Sequence, residues 1–304
     1  MSEPTQGLIE QWSEFVTGTV HYTQACDSQY GKEYWPHLRT IFSRMVKKGL
    51  AESVKGRDGY YRFIKKKNRP FEWWKADPNS VIDLRWPYSP DDDTSFGLEN
   101  VKIYPSAVII ISGASNWGKT CMLLNFIMEN MDNHEIYYWT NELSEEEFAD
   151  RMSHFNGRYQ PLREDGMPKF GVGECFEEWQ DVIVPDAINV IDYLDPGENP
   201  YYIGVLIDKL RQKIGKGILV IAIQKKVGSY LDKNGKKRYI YSDYGTGGQY
   251  SEHRARLVIH LDPMEQDECR VFIKKAKGGM SGKKFACRIV NHGSQFHEIR
   301  ELDE

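Results

Sequence analysis

The chain has 304 residues, 40% of them hydrophobic, and a formal net charge of −4 at pH 7. Such a chain can bury a full core and usually divides into two domains, whereas its mild acidity argues against a uniformly basic nucleic-acid coat. It contains no run of about 18 apolar residues, and its N-terminal region lacks the pattern of a signal peptide, so we expect a cytoplasmic protein without a membrane partner. The five cysteines are scattered without metal-ligand spacing, which indicates neither disulfides nor a zinc site.

The N-terminal region combines helical patterns with a hairpin pattern. Apolar residues recur at helical spacing in 8–16 and 38–46, with a candidate third helix between them at 22–29. β-prone runs at 51–54 and 60–64 then flank an Asp-Gly turn, which is typical of a tight hairpin. This order of elements predicts a small winged helix-turn-helix domain.

The predicted winged helix-turn-helix domain, residues 1–70, carries an excess of positive charge. Residues 32–70 contain twelve Lys or Arg against three Asp or Glu. Because phosphate neutralisation needs several cations on one surface, we expect the second long helix and the hairpin to bind duplex DNA. A solvated charged face, or a winged helix that binds protein, is the alternative. The expected contacts are Arg39, Ser43, Lys47, Lys55 and Arg57.

The composition changes again after residue 70. Prolines and an acidic run mark 71–95 as a linker, although its tryptophans suggest that it packs against something. Residues 96–304 alternate β-like runs with helical patterns, which predicts an α/β domain with a mostly parallel sheet flanked by helices.

One segment of this α/β domain fits the phosphate-binding pattern G-x-x-x-x-G-K-[ST]. It follows the apolar run 107–111 and precedes a helical pattern, so a strand, a loop and a helix N-terminus would meet at the phosphates of ATP. Its lysine would add charge for the outer phosphates, and its threonine hydroxyl would bind Mg²⁺. An ordinary glycine-rich loop is the alternative. The segment comprises Gly113, Ala114, Ser115, Asn116, Trp117, Gly118, Lys119 and Thr120.

Polar side chains stand near the ends of three later β-like runs. Glu142 follows the run 135–140. Asp192 lies near the end of the run 187–193, and Gln224 follows a third run. Because ligands of parallel sheets bind at the carboxyl ends of the strands, Glu142 is the candidate base, Asp192 the candidate Mg²⁺ ligand and Gln224 the candidate sensor of the γ-phosphate. Carboxylates that only cap the following turn are the alternative.

The order of these motifs resembles a known family, the RecA-type ATPase domain of hexameric replicative helicases of the DnaB class and their RepA-like plasmid and phage relatives. The resemblance covers roughly residues 96–300. It depends on the phosphate-binding segment followed in order by LSEEEFADR, VIDYL, ILVIAIQ and YSDYGTGGQYSEHRARLVIHL.

The resemblance implies a RecA-like P-loop NTPase core and a homo-oligomer such as a hexamer. It places the catalytic base at Glu142 and a helix arginine at Arg151. It also places a basic finger, which reaches the nucleotide of the neighbouring subunit, at Lys275 and Lys277. Lys277 stands where the family has arginine, and lysine lacks the planar fork that clamps a phosphate. Because the helical N-terminal domain of replicative helicases is replaced here, the resemblance points to a mobile-element or phage-type protein.

A basic segment with an Asn-Gly turn follows Gln224. In RecA-like rings the loops after these strands face a central channel, so the resemblance implies that this segment binds single-stranded DNA, with cations on the backbone and occasional stacking aromatics. A solvated surface hairpin is the alternative. The expected contacts are Lys233, Lys236, Lys237 and Arg238.

Three functions are compatible with these features. The leading hypothesis is an ATP-hydrolysing, DNA-binding motor or remodeller, helicase-like, with ATP held between subunits of an oligomer. The second is a DNA-binding regulator or recruitment factor that ATP switches without unwinding. The third is an interaction protein whose N-terminal domain binds protein.

Overall fold

The computed structural model describes residues 3–13, 16, 18–64, 72–155, 157–231, 233 and 237–303, with the backbone alone at 237, 238 and 266. The chain forms two compact units, Met1–Ala76 and Asp77–Glu304. None of the helices in these described ranges is long and apolar enough to cross a membrane.

In the described residues of the smaller unit, three α-helices pack against a three-stranded antiparallel sheet of order β1-β3-β2. The longest helix buries Leu38, Ile41, Phe42 and Met45, because the spacing of these residues puts them on one face. It ends before Gly49, whose φ of 67° suits a residue that follows a helix. The elements are α1 (Gln6–Ser13), β1 (Thr19–His21), α2 (Ala25–Ser28), α3 (Trp35–Lys47), β2 (Ala51–Ser53) and β3 (Tyr60–Phe63).

Two features of the smaller unit differ from the sequence prediction. The candidate helix at 22–29 is a 3₁₀ turn, Tyr22–Gln24, followed by the four-residue α2. Strand β1 was not predicted, because three residues are too few to show a period-2 pattern.

The predicted linker 71–95 belongs in large part to the bigger unit, which begins at Asp77. Trp86 is 7% exposed, and its ring centroid lies 5.5 Å from that of Phe126. The amide side chain of Asn130 exchanges hydrogen bonds of 3.0 and 2.8 Å with the backbone of Arg85. These contacts hold the proline-rich segment in place although it has little secondary structure of its own.

The larger unit is a mixed sheet with helices on both faces. Its helices are α4 (Lys119–Asn130), α5 (Glu145–Ser153) and α6 (Ile203–Lys213). Its strands are β4 (Tyr88–Ser89), β5 (Thr94–Ser95), β6 (Val108–Gly113), β7 (Ile136–Thr140), β8 (Gly171–Glu174), β9 (Ile188–Asp192), β10 (Ile218–Leu231), β11 (Lys237–Gly245), β12 (Leu257–Pro263), β13 (Cys269–Lys275), β14 (Lys284–Val290) and β15 (Gln295–Glu301).

The main sheet has the order β15-β14-β13-β12-β6-β10-β9-β7-β8. Strands from β12 through β8 in this order are parallel, while β13, β14 and β15 add an antiparallel extension. Strand β6 is apolar on both faces, since Ile109 and Ile111 belong to one buried cluster and Val108 and Ile110 to the other. The predicted α/β fold with a mostly parallel sheet is confirmed.

Strand β10 is longer than the sequence predicted. The run expected to end at Gln224 continues to Leu231 and pairs with the antiparallel strand β11. The basic segment after Gln224 is therefore a two-stranded hairpin that continues a central strand of the sheet.

Candidate nucleotide-binding site

The predicted phosphate-binding segment connects β6 to α4, and each of its glycines is required by a close contact. A Cβ atom on Gly118 would clash with the side chain of Ile289, and Gly118 has a φ of 88°. A Cβ atom on Gly113 would lie 2.9 Å from the carbonyl oxygen of Leu261. Helix α4 begins at Lys119, so its free backbone N–H groups face the loop, as an anion site requires.

Lys119 is buried within this loop. Its side chain is 6% exposed, and its Nζ donates a 2.9 Å hydrogen bond to the carbonyl of Ala114. Burial lowers the pKa of Lys119, and the carboxylates of Asp192 and Glu142 act in the opposite direction. A phosphate would replace a weak neutral acceptor with a charged one, which is the more favourable partner for a buried ammonium.

Asp192 and Thr120 form a polar pair beneath the loop. The Thr120 hydroxyl donates to Asp192 Oδ2 at 2.7 Å, and the buried Tyr138 hydroxyl donates to the same oxygen at 2.9 Å. The other carboxylate oxygen of Asp192, Oδ1, is buried and has no hydrogen-bond partner among the described residues. Burial also raises the pKa of Asp192. An unpartnered carboxylate oxygen beside a threonine hydroxyl fits Mg²⁺, which takes oxygen ligands and binds through one or two protein groups plus substrate phosphates.

Glu142 lies just beyond the end of β7, where its exposed side chain lines the same cleft. Its carboxylate accepts no hydrogen bond from the described residues. Partial desolvation in the cleft raises its pKa, and the nearby charge of Asp192 raises it further. The next helix, α5, is fixed by a capping box in which Ser144 and Glu147 bond each other's backbone N–H groups at 3.2 and 3.1 Å. Helix α5 also brings Arg151 into the cleft.

The cleft has a volume of about 550 Å³, within the range of small-molecule sites. Its far wall comes from the antiparallel extension and was missed by the sequence analysis: Asp267, Cys269, Ile289, His292 and Gly293. No local pattern marks these residues, because only the pairing of β13, β14 and β15 carries them next to the loop. A larger cavity of about 850 Å³, lined by α5 and residues 157–172, contains neither the loop nor the acids.

Gln224 has a different placement from the other candidates. It is opposite Gly113 in the pairing of β10 with β6, so it stands at the carboxyl edge of the sheet. It is not among the residues that line the cleft.

Lys275 and Lys277 lie at the opposite edge of the sheet. Lys275 pairs with Val258 at the start of β12. The six-residue strand β6 separates this edge from the phosphate-binding loop, so the two lie roughly 20 Å apart. They line a basic cavity of about 460 Å³, which holds three further arginines that the sequence analysis missed. These are Arg211, Arg254 and Arg256.

Most cations of this basic cavity have no acidic partner. Arg254 pairs with Asp208 at 2.8 Å, but Arg211, Arg256 and Lys277 form no ion pair with any described residue. Within the described part of the chain Lys275 donates only to backbone carbonyls, and its pKa is lowered by partial burial and by the charge of Arg256.

The candidate duplex-binding residues of the smaller unit are exposed, but they are not all free. Arg39 forms an ion pair of 2.8 Å with Asp58 of the β2–β3 turn. The guanidinium of Arg57 lies 5.5 Å from the ring centroid of Tyr60. Ser43 and Lys47 are exposed on α3, and Lys55 is exposed in the turn.

The candidate single-strand contacts fall on the β10–β11 hairpin. Lys233 is exposed, Lys237 and Arg238 are described by their backbone in β11, and Lys236 lies outside the described residues. Lys225, at the start of the basic segment, is buried instead of exposed. It forms an ion pair of 2.7 Å with the buried Asp262, which also pairs with Arg270 at 2.9 Å.

Comparisons with known proteins give structural likeness only. No family model matches the sequence, and no curated protein matches it. A KaiC-like protein from Pyrococcus horikoshii is similar over 72% of this chain and 99% of its own, with 15% identity and a TM-score of 0.49. The RadB recombinase is similar over 68% of this chain and 99% of its own, with 15% identity and a TM-score of 0.46.

Proposed function

We propose that the protein is an ATP-hydrolysing, DNA-binding motor or remodeller whose ATP sites lie between subunits of a homo-oligomer. One observation carries the ATPase part: Lys119, the Thr120–Asp192 pair and Glu142 converge on one cleft at the carboxyl edge of a parallel sheet. The strand order, with β10 between the loop strand β6 and the Asp192 strand β9, supports a RecA-like core.

In this proposal the backbone N–H groups of the loop and Lys119 hold the outer phosphates of ATP. Thr120 and Asp192 would hold Mg²⁺, which when bound would neutralise charge on the phosphates. Glu142 accepts a proton from the attacking water as its oxygen bonds to the γ-phosphorus and the bond to the bridging oxygen breaks, releasing ADP and phosphate. The raised pKa of Glu142 suits a proton acceptor.

The basic cavity is assigned to the neighbouring subunit's nucleotide. Lys275 and Lys277 are too far from their own loop to act on it, and the cavity's unpaired cations need an anion from another molecule. The basic finger contains no arginine, but Arg256 of the same cavity supplies a guanidinium. This surface therefore has a planar donor although residue 277 is a lysine.

The smaller unit is assigned to duplex DNA. Its helices and its sheet of order β1-β3-β2 support a winged helix, with α3 and the β2–β3 turn as the DNA-facing elements. The helicase-like and mobile-element character rests on the motif resemblance alone.

The direct test is Lys119→Ala in the full chain. We expect ATP binding and turnover to be lost while the fold is kept, because Lys119 supplies charge to the phosphates and alanine is compatible with helix α4, which begins at this residue. Steady-state ATPase rates with and without single-stranded DNA, together with circular dichroism, measure both points. A folded variant with an unchanged rate would refute the assignment of the site, and single-turnover hydrolysis without DNA stimulation would favour a switch over a motor.

A further inference from the structure

Three cysteines that are far apart in the sequence lie together beside the nucleotide cleft. Cys121, Cys269 and Cys287 belong to the same buried cluster, and each is a free thiol. Cys121 and Cys269 also line the cleft. The residues that the structure describes contain no group of three or more His, Cys, Asp or Glu arranged to hold a metal ion, so the chemistry of these thiols is that of sulfur alone.

Cys269 and Cys287 have the spacing that a disulfide requires. They are directly opposite each other in the antiparallel pairing of β13 with β14. Opposite residues of such a pair share one face of the sheet, with Cα atoms about 4.5–5.5 Å apart, and a disulfide joins Cα atoms about 4.4–6.8 Å apart. The Cys287 thiol lies 3.5 Å from the carbonyl oxygen of Cys269. The two sulfurs can therefore join with little movement of either strand.

Cys269 also contacts the loop that connects β6 to α4. Its thiol donates a hydrogen bond of 3.6 Å to the carbonyl oxygen of Trp117. The next loop residue, Gly118, lies against the side chain of Ile289, which is two residues from Cys287 on β14. These two contacts join the loop to the wall of the cleft, and the first of them depends on the hydrogen of the Cys269 thiol.

The position and pKa of the three thiols set the order in which they would react. Cys269 borders the cleft, whereas Cys287 is fully buried and does not line it. A hydrogen bond to Cys269 and burial raise the pKa of the Cys287 thiol, and burial raises the pKa of the Cys121 thiol. A thiol with a raised pKa is a poor first nucleophile. An oxidant that enters the cleft therefore reacts first at Cys269, and Cys287 is the adjacent second thiol.

We propose that Cys269 and Cys287 form a reversible disulfide that weakens nucleotide binding in the cleft. This inference rests on the proposed function, which assigns the cleft to ATP. The oxidant is a small hydroperoxide such as hydrogen peroxide, and the reductant that reverses the reaction is a dithiol.

The oxidation proceeds in two steps. The sulfur of Cys269 attacks one peroxide oxygen, the O–O bond breaks, and water leaves with the thiol proton, so that Cys269 becomes a sulfenic acid. The sulfur of Cys287 then attacks the sulfur of Cys269, the S–O bond breaks, and a second water leaves. Two thiols and one hydrogen peroxide thus give one disulfide and two water molecules. A dithiol reverses the reaction by thiol–disulfide exchange and is itself oxidised.

The disulfide changes the loop because it consumes the hydrogen that Cys269 donates to Trp117. The loop carbonyl then has lost this donor, and loss of one hydrogen bond corresponds to about a twofold to tenfold fall in affinity. A nucleotide bound in the cleft covers Cys269 and should slow the oxidation.

The experiment detects the disulfide and its effect separately. Full-length protein is treated with hydrogen peroxide, with or without ADP and Mg²⁺. The remaining thiols are alkylated, and linked peptides are identified by mass spectrometry. A fluorescent ATP analogue is titrated into reduced, oxidised and dithiothreitol-treated protein. We expect a Cys269–Cys287 link that forms more slowly with ADP, a twofold to tenfold loss of affinity on oxidation, and full recovery after dithiothreitol.

Two variants test the order of the steps. Cys287→Ala removes the second thiol, so the reduced variant should bind the analogue as wild type does, whereas peroxide should leave Cys269 as a sulfenic acid that dimedone labels. The matched control is Cys175→Ala, which changes a thiol of the other buried cluster and should oxidise as wild type does. The detection of the link in wild type needs no variant, so a folding defect in either variant leaves the test decisive.

Three outcomes overturn the inference. Oxidation confined to Cys26 and Cys175 would show that the thiols beside the cleft are inert. A link between Cys121 and Cys269 would assign the disulfide to a different pair. A Cys269–Cys287 link with unchanged affinity would remove its effect on the cleft. All three leave the ATP site standing, whereas a reduced wild type that binds no nucleotide would refute the proposed function and this inference with it.

Discussion

The carboxyl and amino edges of the central sheet differ in how their charged side chains are paired. At the carboxyl edge, cations are buried among acids of the same chain: Lys119 lies near Asp192 and Glu142, and Lys225 pairs with Asp262. At the amino edge, the basic cavity gathers cations of which only Arg254 has an acidic partner in the described chain. Cations that are paired with acids of the same chain need no further partner. Unpaired cations indicate that their counter-charge comes from another molecule.

The largest expected effect comes from removing an acid that pairs with a buried cation at the carboxyl edge. Asp262→Ala leaves Lys225 buried without a partner, so we expect the free energy of unfolding to fall by about 3–5 kcal/mol. Lys277→Ala at the other edge should change it by no more than about 0.5 kcal/mol, because that side chain is exposed and unpaired. Urea unfolding of both variants measures the contrast. Similar losses in the two would show that the edges do not differ in this way.

The second prediction concerns catalysis across the subunit boundary. Lys277→Ala and Arg256→Ala should each reduce ATP hydrolysis by about 10²- to 10³-fold with ATP binding retained, because in the proposed assembly each removes charge stabilisation from a neighbour's site. Arg254→Ala is the matched control, since Arg254 is already paired with Asp208 and should have a small effect.

A mixture of two defective variants shows whether the cations act on the site of a neighbouring subunit. Lys277→Ala protein mixed with Lys119→Ala protein should regain some activity, because a mixed interface combines one intact loop with one intact finger. A co-assembled mixture that stays inactive would place these cations in cis or on DNA alone.

The third prediction tests the proton acceptor at the carboxyl edge. Glu142→Gln keeps size and polarity but cannot take a proton, so hydrolysis should fall by about 10²-fold or more while ATP binding persists. Rate assays paired with a fluorescent nucleotide measure the two separately. Normal hydrolysis in this variant would move the role to another carboxylate.

The smallest effect is the pH dependence that follows from the raised pKa of Glu142. Its pKa is raised, and as the proposed proton acceptor it is active in its deprotonated form, so activity should be lost as the pH falls through that raised value. We expect the decline in hydrolysis to begin at a higher pH than an ordinary glutamate, with a pKa near ~4.3, would allow. The residual hydrolysis rate of the Glu142→Gln variant should not show this decline at low pH. A decline that persists in the variant would be assigned to another titrating group.

The strand-loop-helix arrangement of the proposed phosphate-binding loop was predictable from the sequence because its signal is local. Gly113, Gly118 and Lys119 lie within one short segment between a strand pattern and a helix pattern, and each residue type answers one physical requirement of a phosphate. Strand-end acids such as Asp192 were predictable for the same reason, since apolar runs mark parallel strands and ligands bind at their carboxyl ends. The extension of β10 beyond Gln224 was not predictable, because the exposed half of this strand has no periodic apolar pattern.

The sequence by itself determined the α/β class, the loop between a strand and a helix at 113–119, and the placement of Glu142 and Asp192 at strand ends, since these depend on residue type and near neighbours. Only the tertiary structure decided which distant charges meet. Burial of Lys225 against Asp262, the joining of Arg256 to Lys275 and Lys277 in one cavity, and the approach of Ile289 to Gly118 all depend on strand pairing over long separations. Pairing of that kind is set by the packing of the whole sheet, which no local pattern encodes.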